Sequence, residues 1–146
     1  MRIVLDTDVM AAAMRSDRGA SRQLLLAALD RRVVVLASVP LMLEYEAVLT
    51  RPEHLAEISL TAGEAGEVLD AVASVAEPVL LRFLWRPQLR DPDDEMVLET
   101  AVNGGAQRLA TFNVRHLGPA AQRFGIGAAR PGVIWREIQG REHEKK

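Results

Sequence analysis

The chain has 146 residues, 49% hydrophobic and 26% charged, which is the size and composition of one ordinary globular domain. A formal net charge of -2 provides no overall attraction for a polyanion, so any contact with nucleic acid has to rest on a local patch. The absence of cysteine excludes disulfides and thiolate metal sites, and every basic residue except Lys145 and Lys146 is arginine, which excludes a catalytic lysine within the folded part. No apolar run approaches the roughly 20 residues of a membrane span, and MRIVLDTD meets an acid where a signal peptide would stay apolar, so a soluble, non-exported, cytoplasmic protein is expected.

Arg2 to Leu5 reads as a short buried strand running into Asp6-Thr7, where Asp6 can cap a helix carrying Met10 to Met14. Helical spacing over Gly19 to Arg31 is followed by the β-branched run Val33 to Ala37, which completes a βαβ unit. Pro40 suits the first turn of a helix to about Thr50, and Arg51-Pro52 marks its stop. After a polar stretch, Thr61 and Glu64 have the spacing of a capping box, opening a peripheral helix that ends before Pro78. Val79 to Trp85 is expected as a strand or edge segment. Asp91-Pro92 then opens a helix through Val102 closed by Gly104-Gly105, and Arg108 to Phe112 is a third clear strand. Helices are expected over His116 to Phe124 and Pro131 to Gln139, leaving residues 140–146 as a charged tail behind one domain of residues 1–139. Alternating strands and helices imply a mostly parallel sheet covered on both faces, an α/β/α sandwich.

In such sheets ligands bind beyond the carboxyl ends of the strands, and several acids fall there. Asp6 follows the first strand, although helix capping alone would also explain it. Asp91, Asp93 and Glu95 suit the helix dipole as ordinary first-turn charges. Asp94 falls within the stripe of Val97, Leu98, Ala101 and Val102, so it is expected on the core-facing side, where an uncompensated carboxylate is costly. Glu44 and Glu46 face nearly opposite directions, so at most one joins the site, and the flanking Leu41 and Val48 favour Glu44. Carboxylates converging without cysteine describe an oxygen-rich pocket for a hard ion such as Mg²⁺ or Mn²⁺, and phosphodiester hydrolysis is the reaction that fits. Either Arg15, Arg18 and Arg22 or Arg82, Arg86 and Arg90 would serve as a phosphate-binding edge, beside the plainer reading of scattered solvated arginines.

IVLDTDVM, SVPLMLEYEAVLTRP, RDPDDEMVLETAVNGGA and LATFNVRHL, in that order, resemble the PIN-domain nucleases, in particular the bacterial branch of VapC-type toxins and a related toxin group with RDPDD motifs. The resemblance spans residues 1 to 139. It implies an α/β/α sandwich whose acids bind Mg²⁺ or Mn²⁺ and cleave single-stranded RNA. The three family acids match Asp6, Glu44 and Asp94, an additional acid matches Asp91, Thr7 matches the hydroxyl residue after the first acid, and Asp8 stands where Asn is frequent. The last motif departs from the family: Thr111, Asn113 and His116 offer a hydroxyl, an amide and an imidazole where many relatives carry a fourth acid. Asn113 is then expected to coordinate through its carbonyl or position water, and His116 to favour Mn²⁺, beside the plainer reading of a surface histidine that does neither. A homodimer and a cognate antitoxin are implied by resemblance alone.

Two other classes compete. VLDTDVM also matches the start of haloacid-dehalogenase-like phosphatases, but these place a lysine at the phosphate, and here lysine occurs only at the last two positions. The other is a PIN-like module that binds RNA or protein without catalysis.

Overall fold

Arg2–Leu5 forms β1, the middle strand of the sheet, and Ile3, Val4 and Leu5 are all buried. Successive side chains of a strand point to opposite faces, so burial of all three means that both faces of the sheet are covered. The computed structural model describes residues 1–82 and 89–144, and all five strands within them are parallel, in the order β3-β2-β1-β4-β5. β2 is Val34–Ala37, β3 Glu77–Pro78, β4 Arg108–Ala110 and β5 Gly127–Ala129. The chain leaves β1 through α1 (Thr7–Arg15) and α2 (Ala20–Leu29) toward β2, whereas β4 lies on the other side of β1. That reversal of strand order leaves a crevice at the carboxyl ends of β1 and β4.

The remaining helices are α3 (Val39–Leu49), α4 (Pro52–Ile58), α5 (Ala62–Val75), α6 (Pro92–Gly104), α7 (Val114–Arg123) and α8 (Pro131–Glu144). Local chemistry sets most of their ends. Thr61 and Glu64 form the expected capping box at α5, Asp91 caps α6 with Pro92 in its first turn, and Gly105, at φ +64°, closes α6 in the left-handed conformation that glycine adopts without steric cost. Ser38 caps α3 and also hydrogen-bonds Thr100 Oγ1 at 2.7 Å, tying the start of α3 to α6 in the core.

Four expectations need correction. The polar stretch after Arg51-Pro52 is a helix, α4, in which Pro52 occupies the first turn instead of ending structure. Val79 to Trp85 is not a strand where it is described: pairing with β2 is confined to Glu77–Pro78, with one further bond from Val79 N–H to Ala37 O at 2.9 Å. Phe83 to Gln88, including Trp85 and Arg86, lie outside the described residues. The edge strand β5 was not anticipated, because Gly-Ala-Ala carries none of the β-branched signal. Finally α8 continues through Glu144, so the charged segment after Gln139 is helical over its described part, and Arg32 makes a two-pronged ion pair with Glu142 there.

Tyr45 is fully buried in α3 and donates its hydroxyl to the carbonyl of Leu5, the last residue of β1. Burial, reinforced by the nearby charge of Asp6, raises the phenol above its ordinary range and keeps it a neutral donor. Tyr45→Phe is expected to destabilise the protein by about 1–2 kcal/mol, because the acceptor stays buried while its donor is lost. A lower urea midpoint at unchanged m value checks this.

Candidate active site

Asp6 occupies the crevice at the carboxyl end of β1 and is 6% exposed. Its backbone N–H donates to Ala110 O at 2.9 Å, continuing the β1 to β4 ladder by one bond. Its carboxylate accepts the Thr7 N–H on Oδ1 at 2.8 Å and the Thr111 hydroxyl on Oδ2 at 2.7 Å. Thr111 is fully buried directly after β4, and its Oγ1 in turn accepts the Asn113 N–H at 2.9 Å. Thr7 therefore acts through its backbone, and Thr111 fixes the rotamer of Asp6 while linking it to the start of α7. These two bonds favour the ionised form, but burial outweighs them, and the charges of Asp8 and Asp94 add to it, so the Asp6 carboxyl rises to about 6.

Asp94, in the first turn of α6, is half-buried and also raised: burial contributes most, followed by the negative charges of Asp91, Asp8 and Asp93, while His116 on α7 lowers it. Glu44 is half-buried in α3, whereas Glu46 is exposed. The Glu44 carboxyl is raised by burial and by Asp93 and Asp91, and lowered by Arg51. Asp6, Asp8, Asp94 and His116 thus share one field at the switch point, and Glu44 joins it from the side of Asp91 and Asp93. Asp8, Asp91, Asp93 and His116 are exposed, and the Asp91 carboxylate is engaged in capping the Asp93 N–H at 2.9 Å. Asn113 begins α7 with its side chain unused as a cap.

Glu95, expected as a surface charge, is buried at 4% exposure and accepts the N–H of Leu89, which ties the approach segment to α6. Residues Glu95 to Ala101 are all buried, so α6 is enclosed nearly all round and the stripe identified in the sequence is only part of its contact surface. Arg22 is not free to grip phosphate: its guanidinium reaches the carbonyls of Ala13 and Met14 at the end of α1. Tyr45, unremarked in the sequence, holds the backbone that carries Asp6.

The donor set is all hard oxygen apart from His116; the charges of Asp8 and Asp94 raise Asp6, and those of Asp91, Asp8 and Asp93 raise Asp94, which is the charge accumulation a divalent cation would relieve. Among the described residues, however, no three His, Asp or Glu side chains stand close enough to form a ready coordination sphere. The residues fit a hard cation in chemistry and charge, with Asp6, Asp8 and Asp94 felt in one electrostatic field and the rest of any shell left to other groups.

Parallel strands, a switch-point crevice and an acidic rim define an open α/β domain with a carboxylate-centred site. Within that class the chain belongs to the PIN-domain family, whose model matches residues 2–115, and PIN domains are generally nucleases. The fold is also that of VapBC2 from Rickettsia felis, solved bound to a DNA fragment from their promoter, with a TM-score of 0.60 at 14% identity over 89% of this chain and 98% of that one. No curated protein sequence matches the chain significantly. Among the described residues no helix is long and apolar enough to cross a membrane.

The raised Asp6 carboxyl has a consequence for folding. Its affinity for a proton is higher in the folded than in the unfolded chain, so stability falls as pH rises from about 4 to about 6, a loss of up to about 3 kcal/mol that is complete above this window. Asp94 and Glu44 shift in the same direction. In chelator, wild type and Asp6→Asn should melt alike near about pH 4.5, and Asp6→Asn should melt higher at about pH 7. Melting temperatures across that range check the sign.

Proposed function

We propose that this chain is a metal-dependent endoribonuclease that cleaves single-stranded RNA as the toxin of a toxin–antitoxin pair. The observation that carries the reading is the buried Asp6 carboxylate, held by Thr111 and Thr7 at the switch point of a PIN domain and coupled to the charge of Asp94. Asp6, Glu44 and Asp94 are the catalytic acids, with Asp91 and Asn113 as further ligands and Asp8 and His116 as supporting groups. Mg²⁺ or Mn²⁺ bound there would activate water and neutralise charge on the phosphate during in-line attack. Thr111 and Thr7 hold Asp6 in one orientation, so no reorganisation is needed as substrate arrives. Asn113 presents a neutral amide and His116 an imidazole whose charge acts on Asp94, where each can position water or phosphate. The VapBC2 neighbour supports expecting a cognate antitoxin partner. A homodimer is in keeping with the resemblance.

Asp94→Asn is expected to abolish cleavage while the fold persists, and the metal-free variant should melt no lower than wild type, since like-charge repulsion is relieved. Stabilisation by added Mn²⁺ should shrink. Asp93→Asn, exposed and acting on Asp94 and Glu44 only through its charge, should retain most activity. The reverse pattern would mean that the third ligand is misassigned. Cleavage of a single-stranded RNA undiminished in excess chelator would remove the metal from the mechanism. Absence of cleavage with either ion would favour a non-catalytic binding module.

Asn113→Asp supplies an acid where many relatives have one, so it should tighten Mn²⁺ binding or change the preference between the two ions. Calorimetry reads this directly. An unaltered isotherm places Asn113 outside the metal's surroundings.

A further inference from the structure

Beside the acids, a second cleft of about 370 Å³ opens between α1 and α4, within the roughly 300–1,000 Å³ typical of small-ligand sites. Its walls carry Arg15 from α1, Arg51 and His54 at the start of α4 and Phe112 from the segment after β4, together with the carboxylates of Asp8, Glu53 and Glu57, beside which any phosphate has to be seated. Phe112 lies between Thr111, which holds Asp6, and Asn113, so the cleft adjoins the candidate active site. Its ring is 40% exposed. The Arg130 guanidinium sits over it, 5.4 Å from the ring centroid, and borders a separate cleft of about 410 Å³ that Phe112 also lines. The ring is thus a partition braced on one side by Arg130, with its other side bounding the cleft beside the acids.

Single exposed aromatics are common on protein surfaces and need no function. This one is accompanied by Arg51, Arg15 and His54, of which Arg51 and the His54 Nε2 are without a hydrogen-bond partner among the described residues. The Arg51 guanidinium has no hydrogen-bond or ion-pair partner among the described residues, and its influence on Glu44 places it near the acids. Arg15 makes only a long contact, 3.8 Å, to Glu57. His54 is 7% exposed, and its Nε2 is buried with no hydrogen-bond partner, an arrangement that costs free energy until a partner reaches it. Burial and Arg15 lower the affinity of this imidazole for a proton and so favour its neutral form, able to meet the polar edge of a base.

We propose that this cleft is the subsite for the nucleotide flanking the scissile phosphate of a single-stranded RNA, with the base stacked on Phe112, its phosphate held by Arg51, and His54 as the polar floor. The proposal rests on the nuclease reading above and adds where the substrate lies. An aromatic face accepts any base, so stacking supplies affinity with little sequence preference, whereas His54 is the group able to discriminate between base edges.

Two measurements test it. Nucleoside 5′-monophosphates are titrated into the metal-free protein and followed by amide chemical shifts, and a single-stranded RNA decamer is used for steady-state cleavage. Phe112→Leu should weaken monophosphate binding and raise KM by roughly tenfold, with kcat changed by less than about threefold, and Phe112→Trp should restore both. Arg51→Gln should weaken binding of monophosphates but not of nucleosides lacking phosphate. Monophosphates that shift no amide around the cleft, or a Phe112→Leu protein with wild-type KM and binding, would overturn the subsite. If Phe112→Leu cleaves like wild type, the subsite falls and the nuclease reading stands. If monophosphate binding is lost in Phe112→Leu but wild type cleaves no RNA, the subsite stands and the nuclease reading falls.

Discussion

A carboxylate withdrawn from water at the end of the central strand has to be compensated, and much of the architecture around the crevice serves that requirement. Two hydrogen bonds reach the Asp6 carboxylate, one from the following backbone and one from a hydroxyl just beyond the neighbouring strand, yet burial and adjacent acids leave its charge only partly offset. Strand β4 is therefore more than scaffold: Thr111 belongs at once to the sheet, to the acid and, through Asn113 N–H, to the start of α7. The same carboxylate that costs the fold stability is held in one orientation by these bonds.

The other acids are delivered by two helices whose mutual position is itself fixed in the core. Ser38 caps α3 and contacts Thr100 of α6, whose hydroxyl also returns to Met96 O at 2.9 Å, so the helices bearing Glu44 and Asp94 are joined through one buried pair of hydroxyls. Tyr45 adds the third tie, from α3 to the last residue of β1. Sheet end, α3 and α6 thus form a frame in which each acid-bearing element is bonded to another through a neighbouring residue and not through the acid itself. The ties between these three elements therefore make no use of the Glu44 and Asp94 carboxylates.

Much of this was legible in the sequence where the governing chemistry is local. The capping box at Thr61, the Asp91-Pro92 opening and the Gly105 closure all appear as read, because each depends on residues within one turn. Asp6 and Asp94 were singled out by the end of an apolar run and by helical phase, and the fold buries the first and half-buries the second. The failures are equally physical. Helix α4 has few apolar residues and depends on packing against α1 and α3, while β5 is paired by β4 despite a composition that resists strand formation. The hydroxyl of Tyr45 finds an acceptor 40 residues away, and Glu95 is buried on a helix surface that the apolar stripe did not cover. Phe112 gave no periodic signal at all, since its meaning lies in the walls that distant segments bring to it.

One further property follows from how the sheet ends. At one margin β3 contains only Glu77 and Pro78, the latter without an N–H to offer, and at the other β5 is three residues long. Open margins of a sheet invite strands from other molecules, and brevity and proline are among the ways natural proteins refuse them. With the described margins this short, growth by strand addition is disfavoured at both, which protects against runaway polymerisation an exposed array of parallel strands would otherwise permit.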